Sequence, residues 1–112
     1  MKGKIGDHQR LLHIKEAIEE IKTYIEGVDY AVFTANSMMR FATIKQLEII
    51  GEAARHLSQE TKSDFPDIEW KEITGLRNFL VHEYSEVDIE LLWQIIRVDI
   101  PKINGILFMT GS

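Results

Sequence analysis

The stretch NSMMRFATIKQLEIIGEAARHLSQE, residues 36–60, decides the fold, because its apolar residues recur at helical spacing on two adjoining stripes. Asn36 opens the stretch and belongs to a residue type that caps helices, so we predict a long second helix from Asn36 to about Glu60. A helix that is apolar over so wide an arc needs two burial partners, and in a short bundle the second can be another subunit. One stripe holds Ile44, Leu47 and Ala54, and the other holds Met39, Ile50, Ala53 and Leu57.

An amphipathic helix is predicted upstream of this stretch. Its apolar residues recur at spacings of three and four, with charged residues between them. Gly27 is the expected C-terminal stop, and residues 29–34 are expected to form a linker to the second helix. The apolar series is Leu11, Ile14, Ile18, Ile21, Ile25 and Val28.

A loop and a third helix are predicted downstream. The segment TKSDFPD, residues 61–67, is the loop, because Pro66 disfavours helical geometry at the residue before it. Asp67 can cap the helix that follows. We predict that this third helix runs from about Ile68 to Tyr84, since apolar residues return there at helical spacing.

A fourth helix is predicted to open at Ser85, because Ser85 and Asp88 resemble a capping box. Pro101 should kink or end this helix, and the apolar tail over residues 103–109 should close the bundle or its dimer. No segment alternates at period two, so no strand is expected. The sequence thus predicts an all-α single domain over residues 1–112, an antiparallel four- to five-helix bundle that is dimeric. The apolar stripe of the fourth helix is Ile89, Trp93, Ile96, Ile100 and Ile103.

Bulk composition narrows the possible functions. The chain has 112 residues, 45% of them hydrophobic and 28% charged, which suits one globular domain with a modest core. It has no cysteine, so disulfides, thiol catalysis and thiolate metal sites are excluded. No stretch approaches the ~20 apolar residues that span a bilayer, and the N-terminus lacks the apolar region of a signal peptide, so we expect a cytoplasmic protein away from membranes. The net charge of −5 opposes sequence-independent nucleic-acid binding, unless a local basic cleft receives the ligand.

An arginine interrupts the apolar stripe of the third helix. Arg77 keeps the helical spacing of its apolar neighbours, and a guanidinium there needs either a structural partner or a function. The structural explanation is a packed stem whose head reaches a carboxylate on a neighbouring helix. The stripe consists of Trp70, Ile73, Arg77, Leu80 with Val81, and Tyr84.

His82 lies five residues after this arginine and therefore about 140° round the helix. Arg77 and His82 of one chain thus do not share a face. Two copies of the helix about a twofold axis would bring the pair of one subunit toward the pair of the other and form a composite basic cleft. The structural alternatives are a histidine stabilised by the dipole of its last helical turn, and a Tyr84 that belongs to the core or an interface.

The joint pattern of these residues is more specific than any one of them. The octapeptide RNFLVHEY, residues 77–84, has the pattern R-x4-H-x-Y with a polar residue after the arginine, and it resembles the active-site signature of HEPN domains of the HepT-like branch. The resemblance continues in the family's order over most of the chain. The further matching segments are RLLHIKEAIEEI (10–21), QLEIIGEAARHLS (46–58), PDIEWKEITGLRN (66–78) and VDIELLWQII (87–96).

The resemblance implies a homodimeric ribonuclease that cuts RNA without a metal ion and is the toxin of a toxin-antitoxin pair. It implies that Arg77 and His82 are the catalytic pair, with Asn78 as a polar supporting residue. The implied partner is a nucleotidyltransferase antitoxin of the MntA type, which silences the toxin by transferring AMP to the motif tyrosine, here Tyr84. Glu83 adds a negative charge beside the cleft, which could lower activity.

The chemistry of RNA cleavage fits these residue types independently. The 2′-hydroxyl of RNA is the nucleophile, so the enzyme must supply a proton-transfer group with a pKa near neutrality and a fixed cation for the charge on the phosphorane. Histidine and arginine meet those two needs. Glu52 can orient Arg77 from the second helix, although Glu48 and Glu52 also suit ordinary pairs with Lys45 and Arg55.

Two further features of the sequence concern metal binding and helix packing. The four histidines do not follow a carboxylate by three residues, so no metal site and no cofactor are expected. Gly51 and Gly75 interrupt predicted helices, which favours close helix packing over phosphate binding. The alternative functions are a non-catalytic helical dimer that binds a nucleotidyltransferase partner, which the acidic net charge favours slightly, and a module that binds a nucleotide without cutting.

Overall fold

The computed structural model describes residues 2–82 and 88–108, and these residues are almost entirely helical. The helices are α1 (Lys2–Ile25), α2 (Tyr30–Ala35), α3 (Ser37–Arg55), α4 (Gln59–Ser63), α5 (Trp70–His82), α6 (Ile89–Gln94) and α7 (Ile100–Phe108), and a π-helical turn, Ile95–Asp99, joins α6 to α7. The described part of the chain contains no strand, so the prediction of an all-α fold is confirmed.

The central element is α3, which packs against both α1 and α5. Tyr24 bonds to Gln46 near one end of the α1–α3 pair and Asp7 bonds to Ser58 near the other, so the two helices run antiparallel. Both predicted stripes of α3 are used inside the chain, and the wide apolar arc therefore does not require a second subunit. The fully buried residues that α3 contributes include Leu47, Ile50 and Ala54.

The predicted boundaries of the first helix were partly wrong. The helix begins at Lys2 rather than near Leu11, although it ends where Gly27 was expected to stop it. Gly27 has a φ of 72°, the left-handed conformation in which glycine escapes the Cβ penalty.

Residues 29–34, predicted to be a linker, contain the short helix α2. The carboxylate of Asp29 accepts from the backbone N–H of Val32 and caps it. Phe33 is completely buried, and its ring lies 4.8 Å from that of Trp93 on α6. Capping and aromatic burial thus stabilise a helix too short to show periodicity.

The second helix was predicted to run to Glu60, but α3 ends at Arg55, and α4 occupies part of the predicted loop. The Asn36 cap is confirmed, because its side chain accepts from the N–H of Met39. Ser58 caps α4 by accepting from the N–H of Thr61. The buried carboxylate of Asp7 accepts in turn from the N–H of Ser58 at 3.0 Å and so fixes the start of α1 against this junction.

The start of α5 also differs from the prediction. The helix begins at Trp70, two residues past the predicted start, and Asp67 does not cap it; the carbonyl of Glu69 accepts from Ile73 instead. The indole N–H of Trp70 donates to the carbonyls of Lys62 and Phe65, which anchors the helix to the preceding loop.

The next helix is capped by Asp88, whose carboxylate accepts from the N–H of Leu91, and begins at Ile89. The predicted cap Ser85 and Tyr84 lie outside the described residues. Pro101 does not end the helix but lies within α7, directly after the π-helical turn in which Ile100 donates to the carbonyl of Ile95.

The apolar tail packs on the core, since Leu107 is buried and α7 contacts α1, as predicted for its described part. No helix in the described ranges combines the length and apolarity needed to cross a membrane.

Candidate active site

Arg77 projects from α5 toward α3 and is bound there by a carboxylate. Its Nε donates to Oε1 of Glu52 at 2.9 Å, and its side chain remains 36% exposed. The predicted pairing of Glu52 with Arg77 is thus present as a contact. A charge-assisted hydrogen bond of this length holds the Nε edge of the guanidinium against Glu52. The bonds formed among the described side chains leave the two terminal nitrogens of Arg77 available for a ligand.

The other carboxylate oxygen of Glu52 binds two further basic side chains, His56 and Arg55. Its Oε2 lies 3.0 Å from Nε2 of His56 and 3.4 Å from a terminal nitrogen of Arg55. The hydrogen bond from His56, followed by that from Arg55 and the charge of Arg77, lowers the pKa of Glu52 below its ordinary value. Glu52 therefore stays negatively charged at neutral pH and holds Arg77 in place. Lys45 pairs with Glu48 at 3.4 Å, so the ordinary helical pairs considered for α3 are also present.

Gly51 sets the distance between α5 and α3 beside Arg77. A Cβ at Gly51 would lie 2.8 Å from the backbone nitrogen of Arg77 and 3.1 Å from the carbonyl oxygen of Ile73. Only glycine permits so close an approach, which confirms the expected close packing at this position. Gly75 does not behave in this way, because a Cβ there would meet no atom of the described residues within 4 Å. Within the described part of the chain, the packing role predicted for Gly75 is therefore wrong.

A groove between α1 and α3 leads to Arg77. It encloses about 660 Å³, a volume within the range of ligand sites. We call it the α1–α3 groove and define it by its charged lining residues, Arg10, His13, Lys45, Glu48, Glu52, His56 and Arg77.

The groove contains four basic residues that the sequence analysis did not assign to a site, namely Arg10, His13, Lys45 and His56. They come from different helices, so their proximity depends on how α1 packs along α3. The described part of the family signature lies on α5 and gives no signal for them.

The other predicted site residues are described only in part. The backbone of Asn78 and His82 belongs to α5, but their side chains, like the whole of Tyr84, lie outside the described residues. Among the residues that the structure describes, no three histidine, aspartate or glutamate side chains are grouped as a metal site would require.

Comparison with known proteins gives the class of protein to which this fold and arginine site belong. The model of the HepT-like ribonuclease family matches residues 14–107. The chain therefore belongs to the HepT-like family of ribonucleases, within the HEPN superfamily.

Individual relatives agree with this assignment. The chain is 43% identical over 94 residues to "Putative RNase MJ1380" of Methanocaldococcus jannaschii, which covers 84% of this chain and 86% of that protein. It is 37% identical over 92 residues to "Probable ribonuclease HepT" of Thermococcus cleftensis, which covers 82% and 84% of the two chains. No solved structure matches the chain.

Proposed function

We propose that this protein is a metal-independent endoribonuclease, the toxin of a toxin-antitoxin pair, which acts as a homodimer. The observation that carries the proposal is the guanidinium of Arg77, oriented by Glu52 at 2.9 Å on the wall of a groove, in a member of a ribonuclease family. An oriented guanidinium stabilises negative charge better than a mobile one, because it needs no reorganisation during the reaction.

The proposed reaction uses the RNA's own 2′-hydroxyl. Its oxygen attacks the adjacent phosphorus while His82 accepts its proton, and the bond from phosphorus to the 5′-oxygen breaks. That oxygen takes a proton from solvent water as it leaves, and His82 returns its proton to the solvent, so the products are a 2′,3′-cyclic phosphate and a free 5′-hydroxyl. Arg77 stabilises the charge that develops on the phosphorane, and Asn78 supports it as a polar neighbour. General acid-base help contributes typically 10²–10⁴-fold and one preorganised charge contact roughly 10²–10³-fold, so loss of either residue disables the enzyme.

A cleavage assay with purified protein tests this function. Wild type should cut single-stranded RNA in excess EDTA, whereas Arg77→Ala and His82→Ala should lose at least about 100-fold in rate while retaining helical circular dichroism. Lys102→Ala, which removes an exposed cation on α7, should cut like wild type. Unchanged cleavage by either motif variant, or inhibition by the chelator, contradicts the mechanism.

The proposed antitoxin is a nucleotidyltransferase of the MntA type that transfers AMP to Tyr84. The added phosphate and adenosine would neutralise the field of the cations and occupy the space of the RNA. Co-expression should therefore raise the intact mass of this chain by one or more AMP units on Tyr84, and Tyr84→Phe should resist silencing. An unmodified but inhibited chain would show that the partner acts by binding alone.

The contact between Arg77 and Glu52 also supports a second function, since a pair that joins α5 to α3 needs no catalytic purpose. In that case the protein is a non-catalytic dimer that binds a nucleotidyltransferase or a nucleotide. RNA that remains intact with wild-type protein, together with a stable complex with the nucleotidyltransferase, would favour this alternative.

A further inference from the structure

The α1–α3 groove is basic in a chain whose net charge is −5. Arg10 and His13 line it from α1, Lys45 from α3, and Arg77 from α5. A local cluster of cations on an acidic protein attracts a polyanion to one place and repels it from the rest of the surface.

The cations of the groove outnumber its carboxylates, because Arg10, Lys45 and Arg77 line it together with Glu48 and Glu52. Glu48 is paired with Lys45, and Glu52 is shared among three basic side chains, one of which is Arg77. Asp7, the acidic neighbour of Arg10, is only 3% exposed and is bound by Ser58 and Thr61, and the charge of Arg10 helps to lower its pKa. Within the described part of the chain, Arg10 and His13 form no ion pair.

The sign of the charge reverses beyond His13. The next cavity along α1 also includes His13, but its remaining charged lining consists of Glu16, Glu19 and Glu20. The charges therefore favour a polyanion beside Arg10, Lys45 and Arg77 and disfavour it beside Glu16, Glu19 and Glu20. The volume of about 660 Å³ suits about one or two nucleotides of a single strand.

We propose that the α1–α3 groove binds the single-stranded RNA beside the scissile phosphate, with Arg10, His13 and Lys45 contacting flanking phosphates. This inference rests on the proposed ribonuclease function, because it places cleavage at Arg77, which lines the groove. The groove residues act on binding, and they do not take part in proton transfer.

The experiment measures binding of 2′-O-methylated single-stranded RNA, which lacks the nucleophile and cannot be cut, by fluorescence anisotropy from about 0.1 to 1 M salt. The double variant Arg10→Ala/Lys45→Ala is compared with Lys22→Ala/Lys71→Ala, which removes two exposed cations outside the groove. Each lost phosphate contact flattens the slope of log affinity against log salt by about 0.7 for a single strand. The groove variant should lose about 1.4 from that slope and roughly 10- to 25-fold in affinity near 0.1 M salt, whereas the control should match wild type.

The binding proposal and the cleavage proposal fail in different ways. If the groove variant and the control have the same affinity and the same salt slope, the proposal that the α1–α3 groove binds RNA is overturned. If the groove variant binds RNA more weakly but the wild-type protein fails to cut unmodified RNA, RNA binding by the groove is supported and the proposed ribonuclease activity is overturned. If both stand, the groove variant cuts unmodified RNA with a raised KM and an unchanged kcat.

Discussion

At the scale of single residues, Glu52 is the group on which the arrangement of the site depends. It binds Arg77 through one oxygen and His56 and Arg55 through the other. Because these partners lower its pKa, Glu52 remains ionised as the pH falls until the solution is more acidic than about 4.5, the ordinary value. A change in activity between about pH 5 and 8 must therefore arise from another group.

Glu52→Gln should lower kcat by roughly tenfold and leave KM nearly unchanged, because the amide no longer fixes the guanidinium of Arg77. This loss is smaller than that expected for Arg77→Ala, in which the cation itself is removed. Steady-state kinetics of RNA cleavage measure the effect, with Glu72→Gln on α5 as a control of equal charge change. A Glu52→Gln enzyme with wild-type kcat would remove Glu52 from the site.

Asp7 is the carboxylate that matters most for the stability of the fold. Burial alone would raise its pKa, but the hydrogen bonds from Ser58 and Thr61 outweigh that effect, and the pKa is lowered below 3.8. A carboxyl whose folded pKa is lowered stabilises the fold above its ordinary pKa, and this contribution is lost as the pH falls through the folded value.

Asp7→Asn should lower the free energy of unfolding by about 1–3 kcal/mol near neutral pH. The reason is that the side-chain NH2 of asparagine, a donor, would replace the carboxylate oxygen that accepts from the hydroxyls of Ser58 and Thr61. The difference from wild type should shrink as the pH falls below about 4. Urea unfolding at about pH 7 and about pH 3 measures both effects, and Asp67→Asn at an exposed position is the control. A difference that is the same at both pH values would contradict the role of the charge.

At the scale of the elements, Gly51 sets how closely α5 approaches α3. Gly51→Ala should cost about 1–3 kcal/mol of stability through overpacking, because the new Cβ would lie 2.8 Å from the backbone nitrogen of Arg77. Gly105→Ala on α7 is a matched control, since its Cβ would meet no described atom within 4 Å and should stabilise the helix by up to about 1 kcal/mol. Urea unfolding of both variants provides the comparison. If Gly51→Ala were as stable as wild type, the close approach would not limit the packing.

The long helices could be predicted because periodicity is a local property of the sequence. The short helices α2 and α4 could not be predicted in this way. Helix α2 depends on the packing of Phe33 against Trp93, and α4 depends on Ser58, which is bound by the carboxylate of Asp7, 51 residues earlier. Such contacts join distant parts of the chain, and no local pattern records them.

The candidate site was predictable to a similar extent. The carboxylate partner of Arg77 could be predicted because Glu52 lies on the neighbouring helix and an arginine in an apolar stripe needs one. Arg10 and His13 could not be assigned, since their place beside Lys45 follows from the packing of α1 against α3. The contribution of His82 stays a prediction.

At the scale of the whole molecule, a dimer is favoured by the positions of Arg77 and His82 on α5 and not by the packing of α3. The wide apolar arc of α3 is filled by α1 and α5 of the same chain. The 140° separation of Arg77 and His82 along α5 remains, and it requires a second copy if the two side chains are to act on one phosphate.

Mixing two inactive variants tests the composite cleft. A heterodimer of Arg77→Ala and His82→Ala chains retains one intact arginine and one intact histidine in different subunits. If the cleft is shared between subunits, refolding the two together should restore roughly a quarter to a half of the wild-type cleavage rate, whereas each variant refolded alone should stay inactive. Light scattering before and after mixing checks that the species has twice the mass of the 13.0 kDa chain. A mixture without activity that contains heterodimers would contradict the shared cleft.

The π-helical turn between α6 and α7 contains one residue more than a regular α-helical turn would. In a regular helix, a deletion rotates everything that follows by about 100° and turns its apolar face away from the core. In this turn, Ile100 bonds to a carbonyl five residues earlier, so removal of the exposed Val98 would leave the same two groups at the ordinary α-helical spacing. The ring of Pro101 would then meet the carbonyl four residues before it, so the shortened helix also needs Pro101→Ala. With both changes, the chain can lose a residue from the middle of a helix and keep Leu107 in the core.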